Sequence, residues 1–569
     1  MIRQLHETEG SKVKLHRILI AGAVLLCVVT GGSAADNVPQ AAVASAHPLA
    51  TRAGMEILAA GGNAFDAAVA VSAALAVVEP TSSGLGGGGF WLLHRASDGH
   101  EVMIDGRERA PMAAHRDMYL DKGGEVIPHL SVDGPLAAAI PGEPAALAHL
   151  ARQYGRLPLA QSLAPAIRLA RDGFPVNEHY QHATKFRLDV LRASPAAAAV
   201  FLRNNEVPAP GELIMQPDLA ETLTLLAQQG RDGYYTGKVA ERLVAGVRAA
   251  GGIWTKKDLA SYRVIERTPL IGEYHGLHIT SVPPPSSGGV VLLTMLNILS
   301  GYDLTKMDAA TRTHVIVEAM RRAYRDRADY LGDPDFVRMP IKQLINPLYA
   351  AGLRAGIRLD RATPSSALPG VAVHPQGPDT THFSIIDKEG NRVAATLSVN
   401  YPFGSGFMPV GTGVVLNDEM DDFSAKAYAP NVYGLVGGDA NAIAPGKRPL
   451  SSMTPTFLED QNKVVVLGTP GGSRIITMVL LATLDIAAGG DAVSAVAVKR
   501  FHHQFLPDVI QYEPGALTPT ITAALQSQGY QLRELRYTYG NMQLVWWHKN
   551  RHHIEAASDP RGQGLALTQ

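Results

Sequence analysis

The stretch 380–400 constrains the fold more than any other part of this 569-residue chain. Two β-forming runs, 380–386 and 393–399, flank Lys388-Glu389-Gly390. A type I turn followed by glycine in the left-handed region makes a three-residue hairpin loop, since glycine enters that region without steric cost. Such a loop pairs Asp387 with Asn391 and sets Thr380 opposite Ser398, at the ~5 Å Cβ spacing of cross-strand partners. Asn400 lies one step further along the same face. A different loop length would turn Ser398 to the other face. A strand threonine is ordinarily only a good β-former. Here, however, a hydroxyl and an amide are set beside it, directly after a proline-rich loop with Pro364, Pro369, Pro375 and Pro378.

The patterning around this hairpin is mixed. Residues 47–80 carry alanine-rich helical periodicity, with Gly61-Gly62-Asn63 as the break between two helices. Gly84-Leu85-Gly86-Gly87-Gly88-Gly89 formally matches G-x-G-x-x-G. A dinucleotide site needs a strand before that motif and a helix after it. Phe90-Trp91-Leu92-Leu93-His94 reads as a strand, so the glycines are expected to form a tight turn feeding it. Residues 136–260 read as mostly helical. Pro283-Pro284-Pro285-Ser286-Ser287-Gly288-Gly289 is a rigid turn opening a helix with an apolar body at 290–299, and helices continue to about 358. Beyond Thr380, short β-rich runs at 380–386, 393–399, 414–416 and 464–468 precede a helical stretch at 473–500. Helices with strands clustered late predict a layered α+β fold and not a regularly alternating βαβ barrel.

At the start, Lys12, Lys14 and Arg17 precede the apolar run 18–30 and then Gly31-Gly32-Ser33-Ala34-Ala35. A basic segment, a short apolar core and small residues spell a secretory signal peptide, with cleavage expected after Ala35. The run is shorter than the roughly 20 residues of a spanning helix. The lone cysteine, Cys27, lies inside that core behind Leu26, which is not the small residue a lipoprotein site requires. The exported chain, 36–569, is therefore expected in the periplasm or secreted, without any cysteine. Disulfide frameworks, cysteine zinc sites and iron–sulfur clusters are excluded. A net charge of −1 with no long basic run argues against nucleic-acid binding. Histidine pairs occur at His502-His503 and His552-His553, but no H-E-x-x-H pattern does. Neighbouring histidines on a strand point to opposite faces. No metal or cofactor is expected.

Several longer motifs appear in order: Asp105-Gly106-Arg107-Glu108-Arg109-Ala110-Pro111; Asp379-Thr380-Thr381-His382-Phe383-Ser384; Asn417-Asp418-Glu419-Met420-Asp421-Asp422-Phe423-Ser424; Pro449-Leu450-Ser451-Ser452-Met453; and Pro470-Gly471-Gly472-Ser473-Arg474. Together with the turn at 84–89 they resemble the γ-glutamyltranspeptidase family over essentially 36–569. That resemblance implies the four-layer αββα sandwich of the N-terminal nucleophile hydrolases. It also implies self-cleavage between Asp379 and Thr380, giving a large subunit, 36–379, and a small one, 380–569, that pair as one unit.

The implied chemistry is coherent. Cleavage frees an α-amine on Thr380, whose reference pKa of about 7.7–8.0 lets it act as base for the residue's own hydroxyl. By the resemblance, Thr380 attacks a γ-glutamyl amide such as glutathione, and water or an amino acid or dipeptide takes the group from the resulting ester. Ser398 would orient the hydroxyl, and the Gly471 and Gly472 N–H groups would form the oxyanion hole. Arg107, Ser451 and Ser452 would bind the α-carboxylate, and Asn400, Glu419 and Asp422 the α-ammonium. Tyr433, in a stretch at 430–439 resembling the family's lid loop, would close over the pocket. Many bacterial members carry Gln where Glu419 stands and Thr where Ser398 stands, and both replacements keep the acceptor or hydroxyl. The alternatives from the sequence are a glutaryl-cephalosporin acylase of the same fold and a non-catalytic γ-glutamyl-peptide binding protein.

Overall fold

The computed structural model describes residues 38–368 and 380–569. The expected signal peptide and Asp379 lie outside the described residues. Thirteen strands form the two main sheets. Before the hairpin come β1 (Ala42–Ser45), β2 (Gly88–Arg95), β3 (His100–Gly106), β4 (Ile265–Arg267), β5 (Leu270–Tyr274) and β6 (Leu277–Ser281). From the hairpin onward come β7 (Thr381–Ile386), β8 (Arg392–Ser398), β9 (Thr456–Glu459), β10 (Lys463–Gly468), β11 (Gln543–His548), β12 (His553–Ser558) and β13 (Leu565–Thr568). One sheet runs β13-β1-β7-β8-β2-β3-β4 and the other β12-β11-β10-β9-β6-β5, antiparallel throughout.

Period-two alternation of apolar side chains builds the layers. Trp91 and Leu93 of β2 face a core shared with the helices α1 (Pro48–Ala59) and α2 (Ala64–Val78), whereas Phe90 and Leu92 face the other sheet. In β10, Val464 and Val466 join that inter-sheet core. Val465 and Leu467 face outward to α3 (Gly288–Leu299), α4 (Ala309–Tyr330) and α5 (Ile475–Ala487). Helices therefore cover the outer face of each sheet, and the four-layer αββα sandwich is borne out.

Local chemistry fixes the hairpin as expected. Gly390 has φ +87°, Asp387 N–H donates to the Asn391 carbonyl at 3.1 Å, and the ladder runs from Ile386 opposite Arg392 to Thr381 opposite Leu397. One more step along the same register sets Thr380 across from Ser398. Asp387 also accepts from Ala64 N–H at 2.8 Å, so the hairpin is tied to the first turn of α2. That turn is capped by Asn63, whose side chain accepts from Phe65 and Asp66 N–H while Asp66 accepts in return from Asn63 N–H.

Two expectations are corrected. Strands do not cluster late, since six precede the hairpin and both sheets draw on both halves of the chain. The run 414–416 is not a strand. Its backbone bonds to loops instead of a ladder: Leu416 N–H donates to the Phe407 carbonyl at 3.0 Å, and the Leu416 carbonyl accepts from Ser405 N–H at 2.9 Å. The glycine turn explains why the chain passes so close here. A Cβ on Gly86 would stand 1.8 Å from the Val415 carbonyl oxygen, and one on Gly87 would stand 2.0 Å from that of Ser398. The turn feeds β2 as its sequence suggested, and its glycines serve close backbone approach.

Candidate active site

Thr380 is the residue just before β7, 6% exposed, at the end of the hairpin that also delivers Ser398. Asn400 follows two residues past β8 with φ +77°, a left-handed conformation that few residues other than glycine accept and asparagine tolerates best. Its N–H donates to Ser398 Oγ at 2.8 Å, and its Nδ2 donates to the Asp418 carbonyl at 3.1 Å and to Asp418 Oδ2 at 3.2 Å. Both Nδ2 contacts point to Asp418, which leaves Oδ1 as the amide atom able to accept from a ligand.

Arg107 leaves the end of β3 and is fully buried. Its N–H donates to Asp105 Oδ1 at 3.0 Å and its Nε to the Pro449 carbonyl at 3.1 Å, which aims the guanidinium. Three carboxylates meet it: Glu419 at 2.6 Å, Asp422 at 2.5 Å and Glu108 at 3.3 Å. Burial alone would lower its pKa, but Glu419, Glu108 and Asp422 outweigh that and raise it, so it stays charged. Burial pushes the Glu419 carboxyl well above its ordinary value, against the pull of Arg107, and Glu108 is shifted up in the same way. The Glu419–Arg107 contact is close but lacks hydrogen-bond alignment, and Glu419 Oε1 has no hydrogen-bond partner among the described residues. One cation among three carboxylates leaves room for a further positive group.

Ser451 and Ser452 follow Pro449-Leu450 on the segment leading into β9. Ser451 N–H donates to the Pro285 carbonyl at 2.8 Å, and its own carbonyl accepts from Ser287 N–H at 2.8 Å. The proline turn before α3 therefore anchors the serines. Gly471 and Gly472 have φ +142° and +56° and open the single helical turn ahead of α5. A Cβ on Gly472 would meet the Tyr433 ring at 2.6 Å. Tyr433 OH donates to the Asn400 carbonyl. Its loop is fastened from several sides: Val432 N–H donates to Asp421 at 2.8 Å, Asn431 Nδ2 to Asp422 Oδ1 at 2.9 Å, and Gln504 Nε2 to the Gly434 carbonyl at 2.9 Å.

One small pocket gathers these groups: Arg107, Thr380, Ser398, Asn400, Glu419, Asp422, Tyr433, Ser451, Ser452 and Gly472 all line it. Among the described sequence-derived candidates only Gly471 does not, although it adjoins Gly472 in the chain. Leu435, Met453 and Ile475 complete the wall and were not expected, because isolated apolar residues carry no chemical signal in a sequence. Neither histidine pair lines the pocket. His502 bonds Thr477 and Gln504, and His503 bonds Asp508 and Phe505 N–H.

The sequence profile of the gamma-glutamyltranspeptidase family matches residues 50–568. The chain belongs to the γ-glutamyltranspeptidase family. A glutathione hydrolase proenzyme of Pseudomonas sp. (strain A14) is 45% identical over 90% of each chain. One of Escherichia coli (strain K12) is 43% identical over 92% of this chain and 90% of its own. Among solved structures, a cephalosporin acylase from Bacillus halodurans superposes with a TM-score of 0.81 at 30% identity, covering 93% of this chain and 96% of that one. γ-Glutamyltranspeptidase membership and the sandwich fold therefore agree with the motifs read from the sequence.

Proposed function

We propose that this enzyme is a self-processing γ-glutamyltransferase and glutathione hydrolase, exported to the periplasm or medium. The observation that carries the reading is the common cavity: a threonine at the head of a strand shares it with a buried guanidinium and an excess of carboxylates. Cleavage of the Asp379–Thr380 bond frees the Thr380 amine, which takes the proton from Thr380 Oγ as that oxygen attacks the γ-carbonyl carbon. Negative charge developing on the carbonyl oxygen is received by the Gly471 and Gly472 N–H groups. The leaving amine takes the proton, and the γ-glutamyl group stays as an ester on Thr380. Water, or the amine of an amino acid or dipeptide, then attacks that ester. Ser398 orients the hydroxyl across the hairpin.

The donor's α-carboxylate goes to Arg107, Ser451 and Ser452. Its α-ammonium goes to Asn400 Oδ1, Glu419 and Asp422, exchanging ionic contacts within the protein for contacts with the ligand. This charge pattern separates the reading from its nearest rival. A glutaryl donor has no ammonium, so it would leave buried carboxylates without a partner, a penalty hydrogen-bonding sites use to reject analogues. Among the described residues no helix is long and apolar enough to cross a membrane.

Hydrolysis of a chromogenic γ-glutamyl anilide, measured with and without glycylglycine, tests the proposal directly. Turnover of the γ-glutamyl anilide and none of the glutaryl analogue is expected, and the reverse preference would overturn it. A denaturing gel should show fragments 36–379 and 380–569. Tyr433→Phe removes the hydroxyl that bonds the Asn400 carbonyl while keeping the ring over Gly472. That change is expected to raise KM by roughly 2- to 10-fold, the worth of one hydrogen bond, with little change in kcat.

A further inference from the structure

Arg327, on the last turn of α4, is an electrostatic oddity beside the cavity. It is 4% exposed, yet among the described residues no carboxylate lies within 4.0 Å of it. Its hydrogen bonds go to hydroxyls: Nε donates to Ser287 Oγ at 2.9 Å and Nη2 to Ser452 Oγ at 3.2 Å. Burial works against its charge, and the acidic groups that help hold it, Tyr324 and the Asp422 carboxylate, stand beyond ion-pair reach, so the cation is kept there at a cost that a bound anion would offset. The neighbouring arginine, Arg107, meets three carboxylates in the same region.

The direction of these hydrogen bonds matters more than their number. A guanidinium has only donors, so Ser452 Oγ must spend a lone pair on Arg327. Its single proton is then left for something else, and the cavity is where Ser452 is exposed to a ligand. Ser451 shows the same arrangement, because its Oγ accepts from Met453 N–H at 3.1 Å. Ser287 is held in place, donating its hydroxyl to the Ser451 carbonyl at 2.7 Å while accepting from Arg327. Each cavity serine thus accepts from a fixed donor behind it, which orients its oxygen and leaves its proton able to turn to a ligand.

We propose that Arg327 is a positioning residue for an anionic subsite: it fixes Ser452 as a donor into the cavity and supplies a second buried positive charge to a ligand carboxylate held there by Arg107. The ligand class is an α-amino acid carboxylate at the glutamyl end of the donor, and the inference rests on the function proposed above. Arg327 does not touch the reacting atoms. It acts through Ser452 and through its field, and removing it weakens the binding of one end of the donor without altering the chemistry at the other.

Arg327→Gln and Arg327→Lys, together with Ser452→Ala and the double variant Arg327→Gln/Ser452→Ala, form the test. Splitting into two fragments on a denaturing gel shows that each variant has folded and matured. Arg327→Gln is expected to raise KM for the γ-glutamyl anilide by about 10- to 100-fold, the worth of hydrogen bonds to charged groups, with kcat within a few-fold. Arg327→Lys should recover part of that loss, because it keeps the charge but not the fork. The double variant should be little worse than Arg327→Gln alone, since the two residues act on one contact. Competition by L-glutamate against its α-carboxamide, isoglutamine, isolates the charge: the preference for glutamate should shrink about 10-fold in Arg327→Gln. Multiplicative losses in the double variant, an unchanged glutamate preference, or a fall in kcat with KM unaltered would overturn the assignment. If Arg327→Gln fails to mature, Arg327→Met, which also removes the charge, is read in its place, and an unchanged glutamate preference there would overturn the assignment equally. Failure of the parent reading looks different, since the unsubstituted enzyme would then turn over no γ-glutamyl anilide at all.

Discussion

Thr380→Ala is expected to yield a chain that stays in one piece and turns over a γ-glutamyl anilide at least about 10⁴-fold more slowly, the scale of losing a nucleophile. Both losses come from one atom. The hydroxyl proposed to attack the donor is also expected to attack the preceding peptide bond, so its removal should stop maturation and turnover together. Thr380→Ser keeps an oxygen in the same place opposite Ser398 and should still divide, with activity reduced and not abolished. End-group sequencing of the active material is the accompanying measurement. A small fragment beginning Thr-Thr-His-Phe is expected, and an active chain still joined at that point would remove the base on which the mechanism depends. Because that base is an α-amine of reference pKa about 7.7–8.0, activity should also decline as pH falls below that range.

Arg107→Lys should raise KM for γ-glutamyl donors by about 10²- to 10³-fold, since truncating one side of a buried charge pair costs about 2–5 kcal/mol. An ammonium carries the same charge but cannot meet Glu419, Asp422, Glu108 and the Pro449 carbonyl at once, as the guanidinium does. Arg107→Ala is a harsher change and should destabilise the fold by about 3–5 kcal/mol, because buried carboxylates lose their counter-charge. Its pH dependence has a definite sign. Burial already raises Glu419 and Glu108, and losing Arg107 raises them further. The folded chain would then hold protons that the unfolded chain has released, so stability should fall as pH rises above the ordinary carboxylate range. Thermal melts at pH 5 and pH 8 measure this, and a variant more stable at the higher pH would contradict it.

The hairpin was legible because its information is local. Glycine at 390 sets the loop length, the loop length sets the register, and the register places Ser398 across from Thr380. The early strands were not legible. β1 reads Ala-Val-Ala-Ser and β3 begins with His100 and Glu101, patterns that say little until a second sheet covers one face. The run 414–416 looked like a strand because it is apolar and β-branched, but its partners are loop carbonyls and amides. The cavity residues that belong to multi-residue motifs were found, as the resemblance carried them. Arg327 was missed because an arginine in a charged helix segment reads as a solvated surface group, and only the packing of α4 against the proline turn shows it to be buried.

The strand order would have a mechanical outcome for a molecule divided at the proposed site. β1 is clamped between β13 and β7, and β8 is clamped between β7 and β2, so pieces from either side of the cut alternate like interlaced fingers. In the other sheet the two sides meet once, where β9 pairs with β6. In the larger sheet, a nick ahead of Thr380 would open no single seam along which the halves could drift apart. They should stay locked until whole ladders are unzipped, and once parted they should not readily re-form from separate solutions.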